Sequence, residues 1–139
     1  MDEVAQRVNE LQANNFAGDI GVVVESVTRD RVVGSLEIQP RHLQPAGIVH
    51  GGVYCTIVES LASMGSFYNS LDQGRLCAGI ENHTSFLRSI SSGTVTAVAV
   101  AVNLGRTTHL WEVEIRDEQE RLVAKGMVRL ALLEPRPAA

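Results

Sequence analysis

The stretch QPAGIVHGGVYCTIVESLAS, residues 44–63, carries the side chains best suited to chemistry in this chain. Its one acidic residue, Glu59, stands in a run that otherwise looks like the buried spine of a small protein. A carboxylate taken out of water without a partner is costly. Either the chain turns Glu59 outward, or it keeps the group for a reaction. Ahead of it, Gly51 and Gly52 open a helix. Bare backbone lets a ligand approach closely, and the first N–H groups of a helix lack partners at the positive end of its dipole. Such a helix head binds anionic oxygen, whether phosphate or the oxyanion of a carbonyl under attack. The competing reading is that the glycines only permit a tight turn. Gln44 and His50 approach from the preceding loop, where either could orient a carbonyl. Ser63, one turn beyond Glu59 on the same face, is placed to hold a water or the carboxylate.

Spacing decides how these parts could cooperate. Glu59 lies about 12 Å beyond Gly51 along the same helix axis. A carbonyl held at Gly51 is therefore out of reach of Glu59 on the same helix. Acting together, the two would come from different subunits, with helices antiparallel across a two-fold axis. That arrangement would also hide the free flank of a long apolar helix. The neighbours of Glu59 one turn away are Cys55, Thr56, Ala62 and Ser63, a semi-polar stripe, so a solvent-facing glutamate is the alternative.

The elements that must position these residues follow from periodicity. Val4, Val8 and Leu11 predict a short amphipathic helix over residues 2–13, with Asp2 as N-cap. Ile20–Val27 is rich in β-branched residues, and Arg31–Gln39 alternates Val32, Leu36 and Ile38 with polar residues; both predict strands. Residues 40–49 form a loop broken by prolines and glycine. Gly51–Asn69 is apolar on nearly every side, which predicts a buried helix. Four strands are expected after it: Leu76–Leu87, Gly93–Asn103, His109–Arg116 and Leu122–Leu133. The third of these sets Trp111, Val113 and Ile115 on one face. The small residues over 95–101 would let the sheet curl closely around the helix. The result is an α+β fold, an antiparallel sheet of about six strands wrapped around one long central helix. One domain over 1–139 is expected, with an N-terminal helix in 1–15 and a frayed tail over 134–139.

Bulk properties narrow the function. A chain of 139 residues fits one domain, and its net charge of −4 with no basic block argues against a nucleic-acid partner. The polar, acidic start MDEVAQRVNELQ is neither a signal nor a transit peptide, and no apolar run approaches the roughly 20 residues of a membrane helix. Cys55 and Cys77 lie apart in apolar segments, which points to free buried thiols in a reducing cytoplasm. The four histidines lack metal-ligand spacing, so no metal is expected. There is no G-x-S-x-G elbow, Walker loop or dinucleotide fingerprint.

The chain resembles the hotdog-fold acyl-CoA thioesterases, most closely the branch of phenylacetate-pathway, Arthrobacter-type hydroxybenzoyl-CoA and dihydroxynaphthoyl-CoA thioesterases. The resemblance runs from about Gly21 to Leu132. It rests on Q-P-x-G-x-V-H-G-G at 44–52, E-S-x-A-S at 59–63, NHTSFLRSISSG at 82–93 and GRTTHLWEVEI at 105–115. It implies that Gly51 donates its N–H to the thioester oxygen and that Glu59 of the opposite subunit is nucleophile or general base. Gln44 and His50 would hold the thioester end, and Ser63 would position water. The longer arm of Glu59, where several relatives carry aspartate, groups the chain with enzymes acting on aromatic acyl groups. Gly52, Arg88, Arg106 and Thr107 match places that contact coenzyme A, and guanidinium suits phosphate; Arg106 is not the usual residue at its position, and both arginines also read as surface residues ending strands. No cofactor is implied, coenzyme A being part of the substrate. The expected protein is a cytoplasmic homodimer, or a tetramer built as a dimer of dimers. Two rivals share the scaffold: a non-catalytic acyl-CoA sensor, and a hydratase or dehydratase with its histidine in a differently placed loop.

Overall fold

The computed structural model describes residues 1–135 and Pro137. Of the tail expected to fray, Glu134, Pro135 and Pro137 are exposed, and the other three residues lie outside the described ones. Helix α1 (Glu3–Gln12) begins where expected, because Asp2 Oδ1 accepts the Ala5 N–H at 2.7 Å. A short helix α2 (Phe16–Ile20) follows and stops at Gly21, whose φ of +98° suits glycine. This corrects the expected strand over Ile20–Val27: β1 is only Val23–Val27. β-Branched composition set the early boundary, and the left-handed cap at Gly21 overrode it.

The remaining strands are β2 (Arg31–Glu37), β3 (Leu76–Phe86), β4 (Thr94–Leu104), β5 (Thr108–Arg116) and β6 (Leu122–Leu133). All pair antiparallel in one sheet of order β1-β2-β4-β5-β6-β3. β2 and β5 bury alternate residues, as a sheet with one face on a core must. The alternation in β4 has a consequence. It turns Val95, Ala97 and Ala99 inward and leaves Val100 and Val102 outside, so small side chains do face the helix.

Helix α3 (Gly51–Ser70) runs 20 residues beneath the sheet and touches all six strands. Where it crosses β5, Gly65 has no room for a side chain, because the Trp111 ring occupies that space. Val53, Tyr54, Ile57, Val58, Leu61 and Ala62 are buried, but Met64 and Phe67 are only partly covered and Tyr68 is exposed. The helix is therefore buried on the sheet side and open along one flank, not enclosed all round. Its apolar residues on that flank line a groove with α1.

The two outer strands differ. β1 is covered by α1: Asn9 exchanges hydrogen bonds with Val24 (2.7 and 2.9 Å), Asp2 Oδ2 accepts from Val27 N (3.0 Å), and Gln12 Nε2 donates to Val22 O (2.8 Å). Among the described residues β3 pairs only with β6, along its whole length, and it exposes Leu76, Ile80 and Phe86. Among the described residues no helix is long and apolar enough to cross a membrane.

Candidate active site

The loop before α3 is held by a buried histidine. His42 Nδ1 accepts from Gln39 N at 2.9 Å, which leaves Nε2–H to donate to Ile20 O at 2.7 Å. Its carbonyl accepts from His50 N at 2.9 Å, and Val49 N donates to Ile90 O at 2.9 Å. Between these anchors the chain doubles back at Gly47 (φ +81°), with Gln44 N donating to Ile48 O at 2.8 Å. Gln44 is thereby fixed beside the helix head. Its Oε1 accepts the Ala46 N–H, leaving the amide Nε2 as a free donor among the described residues.

At the head itself, His50 is the N-cap. Its Nδ1 accepts from Gly52 N at 2.8 Å and its carbonyl accepts from Val53 N at 2.9 Å. The accepting role of Nδ1 puts the ring proton on Nε2. Among the described residues the Gly51 N–H has no hydrogen-bond partner. A side chain at Gly51 would collide with the Phe86 ring, so only glycine leaves this N–H bare with Phe86 packed against it. A cleft of about 290 Å³ opens here, and it gathers Gln44, Gly51, Tyr54, Phe86 and Arg88. Arg88 is exposed, and among the described residues its guanidinium has no partner.

Glu59 lies two turns further along α3 and is half-buried, not solvent-facing in the ordinary sense. Asn82 of β3 donates from Nδ2 to Glu59 Oε2 at 3.1 Å and to Cys55 O at 3.1 Å, while Thr84 Oγ1 donates to Asn82 Oδ1 at 2.7 Å. The other oxygen, Oε1, faces Gly79, where any side chain would strike it. Among the described residues Oε1 accepts no hydrogen bond. Ser63, one turn on, lines an apolar cavity of about 290 Å³ with Val8, Leu11, Met64, Phe67 and Cys77. Burial pushes the Cys77 thiol above its ordinary pKa, and the nearby Glu59 charge adds to the rise. This thiol is half-buried, in no disulfide, and donates to the Ser63 carbonyl at 3.7 Å.

Within one chain the expected residues therefore fall into three places. Gly51, Gln44 and Arg88 share the cleft at the head of α3, and Gly52 and His50 stand exposed at its rim. Glu59 and Ser63 stand mid-helix under β3. Arg106 lines a separate cleft of about 340 Å³ with Asn69 and Gln73, by the far end of α3. The Arg106 carbonyl accepts from Arg75 Nη1 at 2.6 Å, and the Thr107 carbonyl accepts from Leu132 N at 2.9 Å. Tyr54 and Phe86 line the cleft with Gly51, and Asn82 holds Glu59; the reading of residue types did not single these three out. Asn82 stands at the start of the NHTSF motif, and its polar amide amid strand residues was the one available signal.

An antiparallel six-strand sheet over one long central helix is the hotdog thioesterase fold. Residues 46–124 match the Thioesterase superfamily, and the chain belongs to that family. It is a thioester hydrolase. A Mycobacterium tuberculosis protein is 44% identical over 124 residues, 88% of this chain and 89% of that one. Its solved structure has a TM-score of 0.84 with this fold, covering 88% of this chain and 98% of that one. A thioesterase of Pseudomonas aeruginosa, solved as a mutant, is 31% identical with a TM-score of 0.87, and 93% of each chain is covered. A 1,4-dihydroxy-2-naphthoyl-CoA hydrolase of Listeria monocytogenes is 34% identical over 117 residues, 84% of this chain and 94% of that one.

Proposed function

We propose that this chain is a cytoplasmic acyl-CoA thioesterase for aromatic acyl groups, working as a homodimer whose two active sites each draw on both protomers. The observation that carries the reading is the division of the site along α3. The unpaired Gly51 N–H and the free Oε1 of Glu59 lie about 12 Å apart along one helix axis, and β3 presents a bare edge beside Glu59. Pairing two β3 edges antiparallel would bring the helices antiparallel as well. The Glu59 of one protomer would then face the Gly51 of its mate. A tetramer made of two such dimers fits the same reading.

In that site the thioester oxygen accepts the Gly51 N–H, strengthened by the helix dipole as charge develops on it. Glu59 either attacks the carbonyl carbon directly or takes a proton from a water that does. In the first route the C–S bond breaks as a Glu59–acyl anhydride forms, and water then cleaves that anhydride. In the second the C–S bond breaks as water adds. In both, coenzyme A leaves as its thiol with a proton from that water. The Gln44 amide and the His50 ring hold the thioester end, and Ser63 positions the water. Gly52 and Arg88 beside the cleft, with Arg106 and Thr107, take the coenzyme A end. The aromatic preference is supported by the length of the Glu59 side chain and by the similarity to the Listeria hydrolase.

The test is release of free coenzyme A from a panel of aroyl- and alkyl-CoA thioesters, read as kcat/KM. The wild type is expected to favour aroyl thioesters, and Glu59→Ala to lower kcat by about 10²- to 10⁴-fold while the fold persists. Full turnover by Glu59→Ala would remove the carboxylate from the mechanism.

A further inference from the structure

Tyr54 is the third residue after Gly51 on α3, and it is 2% exposed. Side chains of a helix lean toward its N-terminus and cover the preceding turn, so Tyr54 lies over the turn that Gly51 begins. It shares the cleft with Gln44, Gly51 and Arg88. Its ring stands 6.0 Å from that of Phe86. Its hydroxyl is buried and has no hydrogen-bond partner among the described residues. A buried phenol normally finds a partner, because an unpaired hydroxyl out of water is destabilising. A phenylalanine would fill the same space without that cost. The hydroxyl is therefore expected to meet something the free chain does not supply.

We propose that the Tyr54 hydroxyl is a second hydrogen-bond donor to the thioester carbonyl oxygen, beside the Gly51 N–H. The inference rests on the reading that this cleft takes the thioester. The Phe86 ring lines the same cleft and packs against both Gly51 and Tyr54. Phe86 is the last residue of β3 and 54% exposed, so it has room to turn outward. An entering thioester arm would take its place and meet both donors at once. Burial raises the Tyr54 pKa to about 12, so the group keeps its proton and its donor role through the whole working range.

The experiment compares wild type and Tyr54→Phe on benzoyl-CoA and 1-hydroxy-2-naphthoyl-CoA, with a thermal melt of each protein. The expected result is a kcat lowered by about 10²-fold, as for loss of one oxyanion donor, with KM little changed. The melting temperature of Tyr54→Phe should equal or exceed that of the wild type, since an unpaired polar group has been removed. Unchanged kcat overturns the inference, as does a rise in KM alone, which would assign the hydroxyl to ground-state binding. A lower melting temperature also overturns it, because the hydroxyl would then have a structural partner. If the wild type itself releases no coenzyme A from either thioester, the functional reading fails before this question arises.

Discussion

The two edges of the sheet are finished in opposite ways. At β1 the side chains of Asp2, Asn9 and Gln12 stand in for a neighbouring strand and satisfy backbone groups of residues 22–27. At β3, 11 residues long, nothing among the described residues does the same. An exposed, long, partly apolar edge is a template for pairing with another strand. A chain able to cover one edge with a helix has left the other bare where Asn82 holds Glu59 and Phe86 lies against Gly51. In the proposed dimer the covered edge serves stability, while the open edge would belong to the active site and to the second protomer that completes it.

The sharpest way to break this comparison is mixed subunits. Gly51→Pro deletes the unpaired N–H at a helix position that proline tolerates, the extended backbone of His50 suits a residue before proline, and the exposed Phe86 ring must turn aside to admit the added ring atoms. Alone it should lower kcat by about 10²- to 10³-fold, and Glu59→Ala alone should lower it at least as much. Refolded together they should recover activity, because in a mixed dimer one site keeps both an intact Gly51 and an intact Glu59. No recovery on mixing would mean that each site draws on a single protomer.

Next in size is a charge on the open edge. Ile80 sits at the irregularity in the β3–β6 ladder and is 59% exposed, so Ile80→Lys should not disturb the fold of one protomer. It should shift sedimentation toward the monomer and lower activity in step, most at low protein concentration. A stable dimer with full activity would take β3 out of the interface. The matching change at the covered edge is Asn9→Ala. It leaves the Val24 backbone without its partners and should cost about 1–3 kcal/mol in chemical denaturation. The oligomeric state and kcat should stay as in the wild type.

The contrast between the edges also marks what could be read from the residues alone. Strands β2, β4, β5 and β6 were legible because a sheet with one buried face alternates, and Trp111, Val113 and Ile115 announce that face without help. Glu59 was legible because it interrupts an apolar helix, and Gly51 because glycines precede that helix. Asn82 was not, since its contact with Glu59 joins residues 23 positions apart and exists only once β3 lies across α3. Helix α2 was missed because Ile20 belongs by composition to the strand that follows, and the stop at Gly21 depends on a backbone angle. Nor could the residue pattern distinguish a helix enclosed on every side from one left open along a flank. The difference lies in how far α1 reaches, which is a matter of the β1 edge.

The smallest expected effect lies at neither edge, and its independence of them is the point. His109 of β5 is buried, with Nδ1 at 3.0 Å from Ser66 Oγ. Ser66 Oγ already accepts the Trp111 indole N–H at 2.9 Å, so its own proton is free to be given to Nδ1 of a neutral imidazole. Burial first, and the Arg75 charge second, hold the His109 pKa below its ordinary 6.5, against an opposing contact with the Gly105 backbone. Below pH 6.5 the unfolded chain therefore takes up a proton that the folded chain does not. The contribution of His109 is complete above that pH and declines as the pH falls toward the depressed folded value. His109→Gln should lower stability at neutral pH and flatten this part of the pH profile, measured by urea denaturation at several pH values. Ile80→Lys and Asn9→Ala should shift the profile without changing its slope in that window, because neither touches the cluster. A wild-type profile that is flat through the window would mean that Ser66 and Trp111 accommodate the charged ring.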